Sequence, residues 1–220
     1  MSNDSTDTIQ TKAGRPKSEE KRQQILKAAS DEFLAQGFAN TSMDKIAKSS
    51  GVSKQTVYSH FDSKDTLFQA AILQKCQSYE LDPTQLSGHD QCELPMAQCL
   101  TIIGRQFMRL IQDPDVIAMY RTVISEAKNN RRIAELFYQA GLKASLDGLA
   151  TLFLRYSQHR LSQQQALAVA TDFLSLLKSD RLLMLLCDLA APLDDAQIDR
   201  HVARVVDQIG VLLARKTSQT

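Results

Sequence analysis

The chain has 220 residues and is 43% hydrophobic, with 26 Lys and Arg against 25 Asp and Glu for a formal net charge of +1. That length supports a sizeable core in one or two domains, and the near-neutral balance argues against a protein that coats nucleic acid by bulk charge, so any basic footprint has to be local. No apolar run reaches the about 18 residues of a membrane span, and residues 1–11 (MSNDSTDTIQT) lack the basic start and apolar centre of a secretory signal and read as a polar tail.

Gly and Pro are sparse, at 8 and 5 residues. Apolar residues recur at three and four, not at two, which predicts an all-α chain of about nine helices. The first helix starts after Ser18, with Glu19 and Glu20 where carboxylates suit the helix dipole. It carries Ile25, Leu26, Ala29 and Phe33 inward and stops at Gly37. Thr41-Ser42-Met43-Asp44 is a Thr-x-x-Asp capping signal for a short second helix with Ile46 and Ala47 inward, broken by Gly51. Ser53 caps a short third helix with Val57 and Phe61 on the core side. A longer fourth helix starts at Asp62 or Ser63, carries Leu67, Ala71 and Leu81, and ends near Asp82-Pro83.

Residues 84–92 read as a loop. A fifth helix spans about 93–112. Asp113 caps a sixth, with Pro114 at its first position, running to Asn129-Asn130. The seventh covers about 131–157. Ser162 caps an eighth that extends or kinks past Asp180 toward Leu189, and Asp194 or Asp195 caps a ninth to about residue 215. The expected division is a basic disordered arm (1–17), a three-helix domain (18–62), and a larger helical bundle (63–220) joined to it by the fourth helix.

Two short helices joined by a tight turn at Ser50-Gly51 and packed on a third make a helix-turn-helix. The second short helix is then the one that can enter a major groove. Its outer face, Ser53, Lys54, Gln55, Thr56, Tyr58, Ser59 and His60, is polar throughout and has no acid. A solvated helix face ordinarily mixes Glu with Lys; this one suits base edges and phosphates. Residues 12–64 hold ten Lys and Arg against six Asp and Glu, a local net charge of +4.

Residues 25–72, ILKAASDEFLAQGFANTSMDKIAKSSGVSKQTVYSHFDSKDTLFQAAI, resemble the DNA-binding domain of the TetR family of one-component transcriptional regulators. The order GF…TSMDKIA…SGVSKQTVYSHF…SKDTLF is specific to that domain. YRTVISEAKNNRRIAELFYQAG looks like the middle of the C-terminal domain of AcrR-like members. The resemblance implies a homodimer on a palindromic double-stranded operator. It most often implies a repressor released when a small molecule in the C-terminal domain moves the fourth helix. It places Lys54, Gln55 and Thr56 near bases, where Gln suits adenine and Lys guanine. Tyr58 and His60 fall on phosphates, or on a thymine methyl for Tyr58. Thr41 and Ser42 would offer donors at the second helix terminus, and Lys64 a cation at the fourth. Ser53 is a cap that can also present backbone donors. Lys12-Ala13-Gly14-Arg15-Pro16-Lys17 is a solvated tail or an arm into the backbone or minor groove, led by Arg15.

The resemblance also implies dimer contacts through the last two helices. Phe173, Leu177, Leu183, Val202, Val205, Val206, Ile209 and Leu213 are the candidates, on helices apolar around much of their circumference. Candidate ligand-pocket residues are Arg105, Phe107, Met108, Met119, Arg121, Phe137, Tyr138, Phe153, Tyr156 and Phe173. Most aromatics at helical spacing are simply core, and salt bridging is the plain reading of the arginines and of Glu126. Gly104, Gly141 and Gly148 inside helices suggest close crossings or open space. Met and aromatic content points to an apolar or amphipathic effector.

Cys76, Cys92, Cys99 and Cys187 lack paired spacing, so reduced thiols in the cytoplasm are expected. His89, Cys92 and Cys99 form H-x-x-C-x6-C, which fits no structural zinc pattern. No metal, cofactor or membrane partner is expected, and no nucleophile with its base and orienting acid presents itself. An activator or a protein-controlled regulator of the same fold stays open beside the repressor. A helical enzyme with a vestigial helix-turn-helix and a sequence-independent architectural protein are remoter alternatives.

Overall fold

A computed structural model of the chain describes residues 18–81 and 94–217, and among them it is helical throughout, with turns between. Helix α1 (Glu19–Asn40) begins at Ser18, whose hydroxyl accepts from Lys21 N. It is interrupted at Gly37, where φ 78° and ψ 169° belong to a region essentially reserved for glycine, and one further turn follows. Helix α2 (Met43–Ser50) is capped by Ser42, not by Thr41, and closed by Gly51 in the left-handed region at φ 71°. Helix α3 (Lys54–His60) is capped by Ser53, and α4 (Lys64–Gln77) by a Ser63–Thr66 capping box. Helix α4 stops at Gln77 in turns that bring Glu80 to positive φ. The sequence signal at Asp82-Pro83 lies outside the described residues.

Helix α5 (Met96–Ile111) starts after Pro95, later than the composition suggests, and Glu93 lies outside the described residues. Helix α6 (Pro114–Ala127) has the expected entry, Asp113 accepting from Asp115 N and Val116 N. The expected seventh helix divides into α7 (Arg131–Tyr138), a π-helical turn (Gln139–Lys143) and α8 (Ala144–Tyr156). Helix α9 (Gln163–Lys178) carries a Ser162–Gln165 capping box. The chain kinks at Ser179 into α10 (Arg181–Leu186), and α11 (Asp195–Thr217) follows from the reciprocal pair Asp194–Gln197.

Two apolar clusters hold these helices. The smaller gathers Ile25, Phe33, Phe38, Ile46, Val57, Phe61 and Phe68 from α1 to α4, and it also takes Val123 of α6 with Ile133 and Leu136 of α7. Phe33, Phe38 and Phe68 pack ring on ring with centroids 5.1–5.7 Å apart. The larger cluster is built from α5, α8, α9 and α11. Gly104 of α5 meets α11 here: a Cβ at 104 would stand 2.8 Å from Val202 Cγ1, so the close crossing needs glycine.

The residues expected at a dimer surface are spent inside the subunit. Phe173, Leu177, Val202, Val205, Val206, Ile209 and Leu213 are all buried in the larger cluster, and of the set only Leu183 is exposed, at 64%. The stripe at three-and-four spacing is the one each helix turns to its own bundle. The outward faces carry Leu167, Ala168 and Thr171 on α9 and Ala203, Asp207 and Val211 on α11.

Candidate nucleic-acid interface and internal cavity

Helix α3 buries only Val57. Lys54, Gln55, Tyr58 and Ser59 are exposed, and Thr56 and His60 are half-buried. Val57 and the following Phe61 anchor the helix, so the polar residues between them face outward by helical geometry. Ser53 is occupied as the cap, accepting from Thr56 N at 3.1 Å. Lys54 Nζ lies 2.7 Å from Asp44 at the start of α2, and this bond holds its pKa above the usual lysine value. Ser42 is exposed at the tip of α2. Arg15 and the basic arm lie outside the described residues, as do His89 and Cys92.

Two of the sequence candidates are used differently. The Thr41 hydroxyl is turned inward, at 2% exposure, and donates to Gly37 O at 2.7 Å and Glu32 O at 3.2 Å. Lys64 does not reach out from the start of α4. Its Nζ donates to Phe38 O at 2.6 Å and Thr41 O at 2.9 Å, and sits 4.3 Å from the Phe38 ring centre. Burial holds its pKa below the usual lysine value. No local pattern signals this, because helix starts favour anions and the carbonyls that attract Lys64 belong to a different helix.

The same corner is gripped from the other side. The Glu126 carboxylate on α6 accepts from Phe38 N at 2.8 Å and Ala39 N at 3.1 Å. These are N–H groups left unsatisfied by the break at Gly37. Glu126 makes this cap rather than a salt bridge along its own helix.

A cavity of about 140 Å³ opens between α1, α4, α5, α6 and the π turn. Of the sequence candidates it collects Phe107, Met119 and Phe137. Phe68, Ile72 and Cys76 of α4, Tyr120 of α6, Gly141 and Ser145 complete much of the wall, with Ser30 and Leu34 from α1. The remaining candidates lie elsewhere. Met108, Phe153 and Phe173 are core. Arg105 pairs with Asp199 at 2.6 Å. Arg121 caps the end of α10 through Leu185 O, Leu186 O and Asp188. Tyr138 is 46% exposed. Tyr156 donates to Leu94 O at 2.8 Å beside Cys99. The aromatics are too evenly spread along the chain for spacing to separate wall from core. The π turn leaves a clearer trace, since Gly141 sits mid-helix, and such turns recur at functional sites.

Residues 25–71 match the model of the tetR family of bacterial regulatory proteins, and residues 98–211 match the AefR-like transcriptional repressor C-terminal domain. The HTH-type transcriptional regulator SrpR of Pseudomonas putida is 41% identical over 66 residues, which is 30% of this chain and 31% of SrpR. The match therefore spans about a third of that relative. The solved structure of the flavonoid-responsive regulator FrrA is 27% identical, with TM-score 0.64, covering 89% of this chain and 97% of FrrA. A TetR family transcriptional regulator from Pseudomonas syringae pv. tomato str. DC3000 is 25% identical, with TM-score 0.59, covering 87% of this chain and 96% of that one.

Proposed function

The chain belongs to the TetR family and is a DNA-binding transcriptional regulator rather than an enzyme, and on that premise we propose that it is a repressor released from a palindromic operator by a small apolar or amphipathic effector. The cavity between α4 and α6 is the effector site in this reading. The observation that carries it is the ending of both cavity walls on one corner. Helix α4 lines the cavity with Phe68, Ile72 and Cys76 and holds the α1–α2 corner through Lys64. Helix α6 lines it with Met119 and Tyr120 and holds the same corner through Glu126. That corner sets the start of α2, on which α3 is packed. An occupant that prefers one spacing of α4 and α6 shifts α3, and it acts only through its differential affinity for the two states. The match of residues 98–211 to a repressor C-terminal domain favours repression over activation.

Lys54, Gln55 and Thr56 are the proposed base readers, with Ser42, Tyr58, His60 and the Arg15 arm on the backbone. Thr41, Ser53 and Lys64 shape the surface rather than touch DNA through their side chains. The homodimer is proposed to form across the outward faces of α9 and α11, with Leu167, Thr171 and Val211 central and self-complementary about a twofold axis. It sets the two copies of α3 about 34–36 Å apart for successive major grooves. The protein acts in the cytoplasm, without a cofactor.

The test is selection of fragmented genomic DNA on purified protein at about 0.15 M salt, where purely electrostatic binding is weakened. One enriched inverted repeat is expected, and extracts of small molecules that compete it away identify the effector. Equal recovery of unrelated duplexes overturns the reading.

A further inference from the structure

We infer that the effector held between α4 and α6 is an uncharged aromatic molecule bearing one hydroxyl or carbonyl group, seated with that group on the Tyr120 hydroxyl. The inference rests on the reading of this cavity as the effector site.

The inner wall is made of Phe68, Ile72, Phe107, Ile111, Met119 and Phe137. Each charged residue at the cavity already has an opposite partner, with Lys75 shared by two carboxylates. Lys75 Nζ lies 3.0 Å from Asp113 and 3.1 Å from Asp115, and Asp31 lies 3.1 Å from Lys27. The Asp31 and Asp115 side chains are 64% and 63% exposed, which puts their ion pairs in water at the mouth. A carboxylate carried past them loses its hydration and meets no spare cation, and an ammonium finds its only spare carboxylate in water at the mouth rather than along the inner wall. An uncharged apolar body gains by the same transfer.

Tyr120 supplies the polar point. Its ring stands edge-on to Phe137, with centroids 4.9 Å apart and planes at 76°, which fixes where the hydroxyl sits. That hydroxyl makes no hydrogen bond among the described residues, and Tyr120 is half-buried rather than sealed off, so a polar group on an occupant can supply the partner. Burial raises its pKa, so it stays a neutral donor and acceptor at physiological pH. Because Ser30 and Leu34 belong to α1, an occupant also touches the DNA-binding segment directly.

Three probes of one shape test this on the full chain by titration calorimetry: 2-naphthol (neutral at pH 7), naphthalene and 2-naphthoate. The proteins compared are the wild type, Tyr120→Phe, and Ile72→Trp, which fills the cavity. 2-Naphthol is expected to bind at least about tenfold tighter than 2-naphthoate, and Tyr120→Phe to bring it down to the naphthalene level, a loss of about five- to tenfold for one neutral hydrogen bond, with the unfolding midpoint unmoved. Equal or tighter 2-naphthoate binding, or 2-naphthol binding indifferent to Tyr120→Phe, overturns the inference. The cavity remains the effector site in that case if Ile72→Trp abolishes binding. If no probe binds, or Ile72→Trp leaves binding unchanged, the cavity reading falls and the inference with it.

Discussion

The Glu126 carboxylate occupies the space that a side chain on Gly37 would need: a Cβ built at 37 runs into Glu126 Oε1. The glycine allows the backbone break, the break exposes Phe38 N and Ala39 N, and the carboxylate from α6 satisfies both.

Glu126→Ala leaves the part-buried Phe38 N–H and the exposed Ala39 N–H with water as their best partner and should cost about 1–3 kcal/mol of stability, most of it at Phe38. Gly37→Ala adds a disfavoured φ, at roughly 1–3 kcal/mol, and displaces the carboxylate. Thermal or urea unfolding of both single variants and the double variant should show clear sub-additivity, because each change removes the same contact. Additive losses would mean the contact contributes nothing.

Lys64→Ala is expected to lower stability while the salt dependence of DNA binding stays unchanged, since its ammonium is bonded to Phe38 O and Thr41 O. A shallower salt slope in a titration from about 50 to 200 mM salt would place Lys64 on phosphate instead.

Gln55→Ala should cost roughly 1–3 kcal/mol of operator affinity and relax preference at one base position. Lys54→Ala reads out either as the same relaxation, by base contact, or as a salt slope reduced by about 1 per subunit, by phosphate contact. A change in neither removes Lys54 from the interface. Binding to a panel of single-base operator variants at two salt concentrations decides.

Asp113 caps α6 and also accepts from Tyr79 and bonds Lys75. Burial opposes its charge, but the hydrogen bonds from Tyr79, Lys75 and Val116 N outweigh it and hold the carboxyl below its usual value of 3.8. The folded pKa is therefore depressed. Its contribution is present above pH of about 4 and is lost as pH falls through the folded value. Wild-type stability should fall more steeply below pH of about 4 than that of Asp113→Asn, which lacks this acid-sensitive part from the outset. Parallel curves would show that Asp113 is not the group responsible.

Gly104→Ala should destabilise by about 1–3 kcal/mol, since the added methyl meets Val202 across the α5–α11 crossing. Val202→Ala in the same chain should recover part of that loss, although Val202→Ala alone leaves a cavity. Absence of any recovery in urea unfolding would mean the crossing shifts instead.

Most helix starts are legible in the chain. Ser18, Ser42, Ser53, Ser63, Asp113, Ser162 and Asp194 all act as N-caps, because a cap reads N–H groups two or three residues away. The outward polar face of α3 is legible for the same reason, from Val57 and Phe61 at a four-residue spacing. Thr41 is not the α2 cap that its spacing suggests, because its hydroxyl is claimed by carbonyls of Glu32 and Gly37 that the preceding helix brings back to it. The apolar stripes of α9 and α11 each fall on one face, as their spacing requires. Which neighbour that face meets, the subunit's own bundle or a partner, is not encoded in its period.

The sequence by itself determined the all-helical class, the helix-turn-helix and the family, because caps, periodicity and motif order act within a few turns of chain. Only the tertiary structure decided the cavity and the corner that joins it to α2. Glu126 meets Phe38 across 88 residues and Lys64 meets it across 26. Contacts at that separation depend on how α1, α4 and α6 pack together, and a local pattern carries no record of which distant carboxylate or ammonium arrives at an exposed turn.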